Sequence, residues 1–209
     1  MLLITQLVFA DEIKVLELEY PSPKVTSTPS PIKLSNLENP KETLKQIDVP
    51  SDVVNLASGK GVTSSDPWPI IGELDMATDG DKESEDGYYV ELGDGVQWIQ
   101  IDLGEASEVY AIGLWHYHSQ LRSYRDVIIQ VSEDPEFSSE VTTVFNNDHD
   151  NSSGVGTGDN KAYLEKNYGR LIPVKGAVGR YVRFYSNGNT SDDLNHYIEV
   201  EVFGRSAKG

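Results

Sequence analysis

Two carboxylates stand two residues apart in the segment Met76–Ser84, at Asp79 and Asp81, with Gly80 between them. In a tight loop such carboxylates converge on one cation, and glycine permits the bend because it lacks a Cβ. Backbone carbonyls complete the shell of about six to eight oxygens that Ca²⁺ prefers. The spacing therefore indicates a calcium site, with an ordinary acidic turn as the alternative.

A second acidic segment follows at residues 148–152, with the sequence Asp-His-Asp-Asn-Ser. Its D-x-D-x-S spacing matches the start of an EF-hand loop, which needs a glycine at its sixth position. Gly154 falls one place too late for that role. We therefore expect an acidic turn here rather than a second metal site.

Histidine, arginine, asparagine and aromatic side chains gather in the stretch 115–125 and in the last polar loop, 187–195. Such side chains suit a sugar, because polar groups satisfy pairs of hydroxyls and aromatic faces stack on C–H patches. A tryptophan between two prolines adds a candidate stacking platform. The candidate ligand-binding residues are Trp68, His116, His118, Arg122, Arg125, Asn187, Asn189, Asn195 and His196.

These residue types also have structural interpretations. His116 shares a stripe with apolar residues of its strand, which is typical of a core histidine. Arg125 is followed by Asp126, with which it could simply form an ion pair, and Trp115 and Tyr117 could pack beneath the N-terminal segment. The sequence leaves both interpretations open.

Composition excludes several classes of function. The formal net charge of −17 disfavours nucleic acid and anionic membranes as partners, since phosphate binding needs clustered Lys and Arg. With no cysteine, disulfides and thiolate metal sites are excluded. Exposed apolar loop tips beside basic residues are absent from the sequence pattern, so we expect no membrane insertion. No G-x-S-x-G, H-E-x-x-H or phosphate-binding glycine loop occurs.

The chain divides into three parts. Residues 1–10 end in Val-Phe-Ala before two acidic residues, which is typical of the end of a signal peptide, with a hydrophobic first strand as the alternative. Residues 11–52 are rich in proline, serine and threonine and predict an extended arm that links or wraps the domain. Ile13–Leu18 alternates and predicts one edge strand within it. Residues 53–205 form the predicted domain.

Short β-rich runs separated by turn clusters follow from Val53, which predicts an all-β sandwich with little helix. Alternation places Val182 and Phe184 on one face of a strand. Glu199 alternates with Val200, so its side chain is free to leave the core. The predicted strands are Trp98–Leu103, Val109–His118, Val127–Val131, Val141–Phe145, Arg180–Tyr185 and Tyr197–Phe203.

Six segments, in order along residues 53–205, resemble the discoidin domain, also called coagulation factor 5/8 type C, and the chain is similar to family 32 carbohydrate-binding modules. Each segment is weakly specific, but the order of all six is strongly so. The segments are Asn55–Ser65, Thr78–Asp81, Trp98–Gly104, Val131–Asp134, Arg180–Phe184 and Ile198–Gly204.

The resemblance implies a jelly-roll β-sandwich of galactose-binding type, without catalytic activity. It also implies a structural calcium ion that clamps the early loop to the final strand, and a sugar site formed by His, Arg and Asn at one end of the sandwich. Ser84 stands where the family more often has threonine. The implied metal ligands are Met76, Asp79, Asp81, Ser84, Ile198 and Glu199.

Three hypotheses for function follow. The first is a secreted, periplasmic or cell-surface bacterial module that binds a glycan or polysaccharide, and the resemblance favours it. The second is an interaction domain for a cell-surface protein, with the arm as a tether. The third is a small polysaccharide hydrolase, because paired carboxylates are abundant in the sequence.

Overall fold

The computed structural model describes residues 12–25, 27, 32–34, 36–39 and 46–207, and the predicted signal-peptide segment 1–10 lies outside them. Helical structure in these ranges is confined to a 3-10 turn, Leu74–Thr78, and no helix there is long and apolar enough to cross a membrane. The strands are β1 (Ile13–Glu17), β2 (Gln46–Pro50), β3 (Val54–Asn55), β4 (Val62–Ser64), β5 (Val90–Leu92), β6 (Val96–Trp115), β7 (Ile128–Ser132), β8 (Thr142–Asn146), β9 (Arg170–Asn187), β10 (Asn195–Tyr197) and β11 (Glu199–Ser206).

Two long strands, β6 and β9, build the sandwich because each contributes to both layers. The first half of β6 pairs with the second half of β9, and the second half of β6 with the first half of β9. The register breaks between Asp102 and Ser107. Gly104 adopts a φ of 94° in this break, which a residue with a Cβ rarely adopts. The irregularity bends β6 from one layer into the other.

The two layers are antiparallel throughout. One contains β4, the first half of β6, the second half of β9, β7 and β8, in that order. The other contains β3, β11, the second half of β6 and the first half of β9. Beside them, β5 and β10 form a two-stranded ladder of their own. This arrangement confirms the jelly-roll β-sandwich expected from the sequence.

The core lies between the layers. Val182 and Phe184 from one layer and Val200 and Val202 from the other are fully buried in a single hydrophobic cluster. Each side chain of this kind contributes about 1.5–3 kcal/mol on burial. The predicted alternation of β9 is therefore confirmed for its core-facing residues.

The sequence misplaced several strand boundaries. The segments predicted as Trp98–Leu103 and Val109–His118 are parts of one strand, and it ends at Trp115. The predicted strand Tyr197–Phe203 is divided between β10 and β11 at Ile198. The short strands β2, β3, β4 and β5 were not predicted, and for β3, β4 and β5 the reason is that two or three residues carry too little alternation to stand out.

The N-terminal arm folds back onto the sandwich. The predicted edge strand corresponds to β1, but β1 pairs with β2 in a separate two-stranded sheet rather than with either layer. Leu16 and Leu18 of the arm, with Val49, form one apolar cluster with Trp115 and Tyr117. The arm thus covers part of the body, as one of the sequence-based interpretations proposed.

Candidate metal and ligand-binding sites

The early acidic loop and the last strand meet. Gly80, with a φ of 89°, turns its amide so that it donates to Glu199 Oε2 at 3.1 Å. Two successive side-chain turns hold the loop, because Asp79 Oδ1 accepts from the amide of Asp81 at 2.8 Å and Asp81 Oδ1 accepts from that of Glu83 at 2.8 Å. Residues 119 positions apart in sequence therefore share one small region.

Glu199 is fully buried there, and its Oε1 has no hydrogen-bond partner in the described part of the chain. Burial raises the pKa of Glu199 to about 8, and the charges of Glu201 and Asp79 add to this rise, although the Gly80 amide opposes it. An ionised carboxylate so placed is costly unless a positive charge compensates it.

A cavity of about 20 Å³ lies beside this loop, large enough for one small ligand atom or water. Four of the residues that line it belong to the predicted metal set, and the fifth is the exposed Tyr88. The lining residues are Met76, Asp79, Asp81, Tyr88 and Ile198. Oxygen donors and an orphaned carboxylate oxygen fit a hard cation such as Ca²⁺.

Ser84, another member of the predicted metal set, is buried and forms hydrogen bonds with residues 118 and 119. Its hydroxyl oxygen accepts from the amides of His118 and Ser119 at 3.1 Å each, and its carbonyl accepts from the Ser119 hydroxyl. His118 Nε2 donates to the Lys82 carbonyl at 3.0 Å. Burial lowers the pKa of His118, so its ring is neutral at neutral pH. His118 therefore holds the acidic loop through its hydrogen bonds to Lys82 and Ser84.

The second acidic segment folds differently. Ligand atoms of Asp126, Asp148 and Asp150 lie within 4.8 Å of one another. The fully buried Asp148 carboxylate accepts from the amides of Ser152 and Ser153 at 3.2 and 3.0 Å and from the Ser153 hydroxyl. Burial alone would raise the pKa of Asp148, but these hydrogen bonds outweigh it and lower the pKa. The second acidic loop thus stabilises the Asp148 carboxylate with hydrogen-bond donors from its own residues.

Four of the predicted ligand residues are buried in structural roles. Nδ1 of His116 contacts Glu165 Oε1 at 2.8 Å, and its ring stacks on Tyr124 with centroids 4.2 Å apart. His118 lies under the acidic loop, as described above. Asn195 donates to the carbonyls of the 93–95 turn, and Asn189 holds its own loop together through Leu194 and Asp192.

Three others lie nearer the surface. Arg125 donates to the Asn189 carbonyl and to Asp193 rather than to its neighbour Asp126. Asn187 donates from Nδ2 to Asp126 Oδ2 at 2.7 Å. Trp68 is 83% exposed, and its loop lies against β5 because Ile70 donates to a β5 carbonyl at 2.7 Å.

The remaining two, Arg122 and His196, line an open cavity of about 240 Å³ that we call the polar pocket. Three segments build it: the approach to β5 and β5 itself, the chain after β6, and the loop leading into β10. The ladder between β5 and β10 places His196 directly opposite Glu91. The residues lining the polar pocket are Asp86, Tyr89, Glu91, Tyr117, Gln120, Arg122, Asp192, Leu194 and His196.

Side chains of the polar pocket hold one another in fixed orientations. His196 Nε2 lies 3.0 Å from Glu91 Oε2, and its Nδ1 lies 2.8 Å from the Tyr124 hydroxyl. Arg122 donates to Asp192 Oδ2 at 3.1 Å, and its guanidinium carbon lies 4.8 Å from the ring centre of Tyr117. Such mutual support preorganises a binding site.

Burial lowers the pKa of His196 to about 4, so the imidazole is neutral at neutral pH. When Glu91 is ionised it can only accept, so in that state Nε2 carries the hydrogen and Nδ1 accepts from the tyrosine. Burial raises the pKa of Glu91, and the charge of Asp192 adds to the rise. Arg122 is only 4% exposed, and its Nε has no acceptor among the residues that the structure describes.

A larger cavity of about 530 Å³ adjoins the second acidic loop. Residues of the arm form part of its wall, through Leu34 and Asn36. Arg125 and Asn147 line it from the body, and the buried Nδ2 of Asn147 has no partner in the described ranges. Its shape thus depends on the arm, whereas the polar pocket is built by the sandwich and its loops.

Sequence reasoning missed most of the polar pocket. Glu91 belongs to β5 and Tyr89 directly precedes it, and this strand of three residues pairs with a partner about a hundred residues further on. Tyr117 stood in the candidate stretch 115–125 but was not among the predicted ligand residues, with packing beneath the arm as its alternative role. The one available signal was the pair of aromatic residues before Glu91 in an otherwise acidic stretch.

The comparisons with known proteins agree on the type of domain. The family model described as the NedA-like, galactose-binding domain matches residues 76–184, over half of the 209-residue chain. The search of curated proteins found no match. The resemblance to factor 5/8 type C domains predicted from the sequence is thereby confirmed.

Solved structures extend the agreement in fold. Chitosan-binding module 1 from a chitosanase/glucanase of Paenibacillus sp. IK-5 is 25% identical, with a TM-score of 0.51 over 72% of this chain and 99% of that module. The lectin domain of lectinolysin, solved with Lewis B antigen, is 21% identical, with a TM-score of 0.52 over 74% of this chain and 98% of that one. A family 89 glycoside hydrolase from Clostridium perfringens is 22% identical, with a TM-score of 0.54 over 74% of this chain, but this chain spans only 15% of the hydrolase.

Proposed function

Because the chain belongs to the family of NedA-like, galactose-binding domains, we propose that it is a non-catalytic module that binds a saccharide in the polar pocket. The observation that carries the proposal is the pocket itself, in which a neutral histidine, a buried arginine and two tyrosines converge. A cavity of about 240 Å³ is smaller than the roughly 300–1,000 Å³ of sites for drug-sized ligands and suits one sugar residue of a longer chain.

Recognition would use both kinds of sugar surface. The guanidinium of Arg122, which lines the pocket, would donate to a sugar hydroxyl, and Glu91 would accept from another. The rings of Tyr89 and Tyr117, 5.1 Å apart, offer apolar faces and edges to C–H groups. The exposed Trp68, on the loop beside β5, would stack on a sugar residue outside the pocket.

A binding role without catalysis agrees with how the carboxylates are held. Glu91 faces His196, Asp192 is held by Arg122, and Asp86 accepts from the Tyr117 hydroxyl at 3.1 Å. The Paenibacillus relative, which this chain covers almost completely, is a chitosan-binding module. Hydrolysis of a polysaccharide by the purified domain would contradict this part of the proposal.

We assign the early acidic loop and Glu199 as a structural calcium site. The support is the buried, unpartnered Oε1 of Glu199 and the small cavity lined by oxygen-bearing residues. A bound calcium ion would supply the positive charge that the carboxylate lacks. Met76, Asp79, Asp81 and Ile198 would join Glu199 as ligands, while Ser84 fixes the loop to residues 118–119.

Secretion to the periplasm or cell surface remains a proposal that rests on residues 1–10. The described part of the arm is attached to the body at several points, including a 2.7 Å hydrogen bond from Asn167 Nδ2 to the Pro21 carbonyl. An arm held in this way does not favour the role of a free tether to a partner protein. We therefore give preference to the saccharide as ligand.

A glycan array tests the proposal when two matched variants accompany the wild-type protein. Arg122 lines the polar pocket, whereas Arg125, three residues later, lines the larger cavity. We expect Arg122→Gln to weaken binding of any glycan hit by about tenfold or more and Arg125→Gln to leave it within about threefold. Absence of any hit, with capture of a cell-surface protein instead, would contradict the saccharide proposal.

A further inference from the structure

The polar pocket carries more negative than positive charge. Three carboxylates line it, from Asp86, Glu91 and Asp192, against one cation, Arg122, and no lysine is among its described lining residues. Arg122 is already committed to Asp192 at 3.1 Å. The hydrogen-bond partners of Asp86 and Glu91 among the described residues are neutral, a tyrosine hydroxyl and the imidazole of His196, and Arg122 acts on Glu91 only through its charge.

The neutrality of His196 matters for this balance. Its two nitrogens are occupied by Tyr124 and Glu91, and its burial keeps the ring uncharged, so it does not compensate Glu91. Glu91 is itself 7% exposed, which means that water screens its charge poorly. A ligand that brings a positive charge to this position gains more than one that brings a hydroxyl.

Arg122 is the one arginine among the described residues that line the polar pocket. Arg122 is more than nine-tenths buried, lines the pocket and has no acceptor for its Nε hydrogen among the described residues. That nitrogen has almost no accessible surface, so Arg122 acts on the pocket by holding Asp192, and the carboxylates left for a ligand are Asp86 and Glu91. A sugar with a protonated amino group would bring the positive charge that these carboxylates lack, whereas a uronic acid or sulfated sugar would meet like charge.

The charge of the whole chain acts in the same direction. A net charge of −17 attracts a polycation over distances comparable to the Debye length and repels an acidic polysaccharide. Binding of a cationic polymer should therefore weaken as salt is added, whereas binding of a neutral glycan should hardly respond.

We propose that the polar pocket selects a saccharide with a free, protonated amino group, as in polymers of β-1,4-linked glucosamine, through Glu91 and Asp86. This inference rests on the proposed function, because it names the ligand class of the same pocket. It differs from it by requiring charge on the ligand.

Three hexasaccharides with the same β-1,4 backbone test it by calorimetry at mildly acidic pH. They are the hexamers of glucosamine, N-acetylglucosamine and glucose, which differ at the 2-position in carrying an amine, an amide or a hydroxyl. We expect the glucosamine hexamer to bind at least about tenfold more tightly than the other two. Its affinity should fall several-fold between about 50 and about 500 mM NaCl.

Variants locate the effect. Glu91→Gln and, separately, the exposed Asp86→Asn should each reduce the preference for glucosamine by about three- to tenfold. Glu105→Gln, an exposed carboxylate outside the pocket, should leave it unchanged. If Glu91→Gln does not fold, because it alters the pair with His196, Asp86→Asn still decides the matter.

The outcomes separate the two proposals. Equal affinity for the three hexamers, or a glucosamine preference that survives both pocket variants, would overturn the amino-sugar inference while saccharide binding stands. Binding of none of these hexamers and of no glycan on the array would overturn the proposed function itself.

Discussion

The two acidic loops share the spacing Asp-x-Asp, at residues 79–81 and 148–150, and yet they treat a buried carboxylate in opposite ways. In the second loop, serine hydroxyls and amides surround Asp148 and lower its pKa. In the first loop, the buried carboxylate comes from the distant Glu199, receives one amide from Gly80 and retains an oxygen without a partner.

The Asp-x-Asp spacing alone therefore does not decide whether a loop binds a cation. Both loops use their own aspartates to cap nearby amides, so that Asp79 binds the amide of Asp81 and Asp148 that of Asp150. Only the first leaves a buried carboxyl oxygen without a partner, and the pKa of Glu199 rises to about 8 while that of Asp148 falls, so ionising Glu199 is costly unless a cation binds beside it. We therefore expect a cation to stabilise the first loop and to make little difference to the second.

The largest expected effect follows from Glu199→Gln. Calcium at about a hundred times its dissociation constant should stabilise the wild-type protein by about 2.7 kcal/mol, or roughly 5–10 °C in Tm. The variant should lose this shift, because the ligand charge is gone. Without calcium it should be at least as stable as the wild type, since an unpaired buried carboxylate has been removed. Thermal unfolding with calcium or EDTA measures both.

Glu105→Gln provides the matched control for this experiment, as an exposed carboxylate away from both loops. It should keep the full calcium-dependent shift. If calcium still raised the Tm of Glu199→Gln by the wild-type amount, the claim that Glu199 makes the first loop a cation site would be wrong.

Asp148→Asn should have the second largest effect. Replacing one carboxylate oxygen by an amide group turns an acceptor into a donor facing the donors of Ser152 and Ser153, so we expect a loss of about 1–3 kcal/mol. The loss should be the same with calcium and with EDTA, as measured by denaturant unfolding. Asp150→Asn, at an exposed position two residues away, should change stability by less than about 0.5 kcal/mol.

The smallest effect concerns acid. Because the folded-state pKa of Asp148 lies below its unfolded value, its contribution to stability is complete above the unfolded value of about 3.9 and is lost as pH falls through the folded pKa. The stability gap between wild type and Asp148→Asn should therefore narrow at acidic pH. A gap that stays constant down to the acid transition would mean that the carboxylate is not the source of the difference.

Much of the fold could be predicted because strand alternation and the ordered family segments are local signals. The family segments also predicted that Glu199 lies near the early acidic loop, and the amide of Gly80 donates to Glu199 Oε2 at 3.1 Å. The prolines of residues 11–52 predicted an extended arm. What it packs against was open, since proline content fixes backbone conformation and not the partner surface.

The ligand site was harder, because residue type does not reveal burial. His116 and Asn195 have side chains suited to a sugar, but both are fully buried, the first stacked on Tyr124 and the second bound to the 93–95 turn. Glu91 reaches the site only through the pairing of two three-residue strands. Three-residue strands are too short to show a hydrophobic periodicity, so the sequence does not indicate that they pair.

A crystal structure of the domain soaked with the best-binding oligosaccharide tests the central claim most directly. We predict a sugar residue in the polar pocket, with a hydroxyl within hydrogen-bond distance of Arg122 and a ring edge against Tyr117. A saccharide bound instead in the arm-lined cavity beside Arg125 and Asn147, with the polar pocket containing only water, would contradict the account.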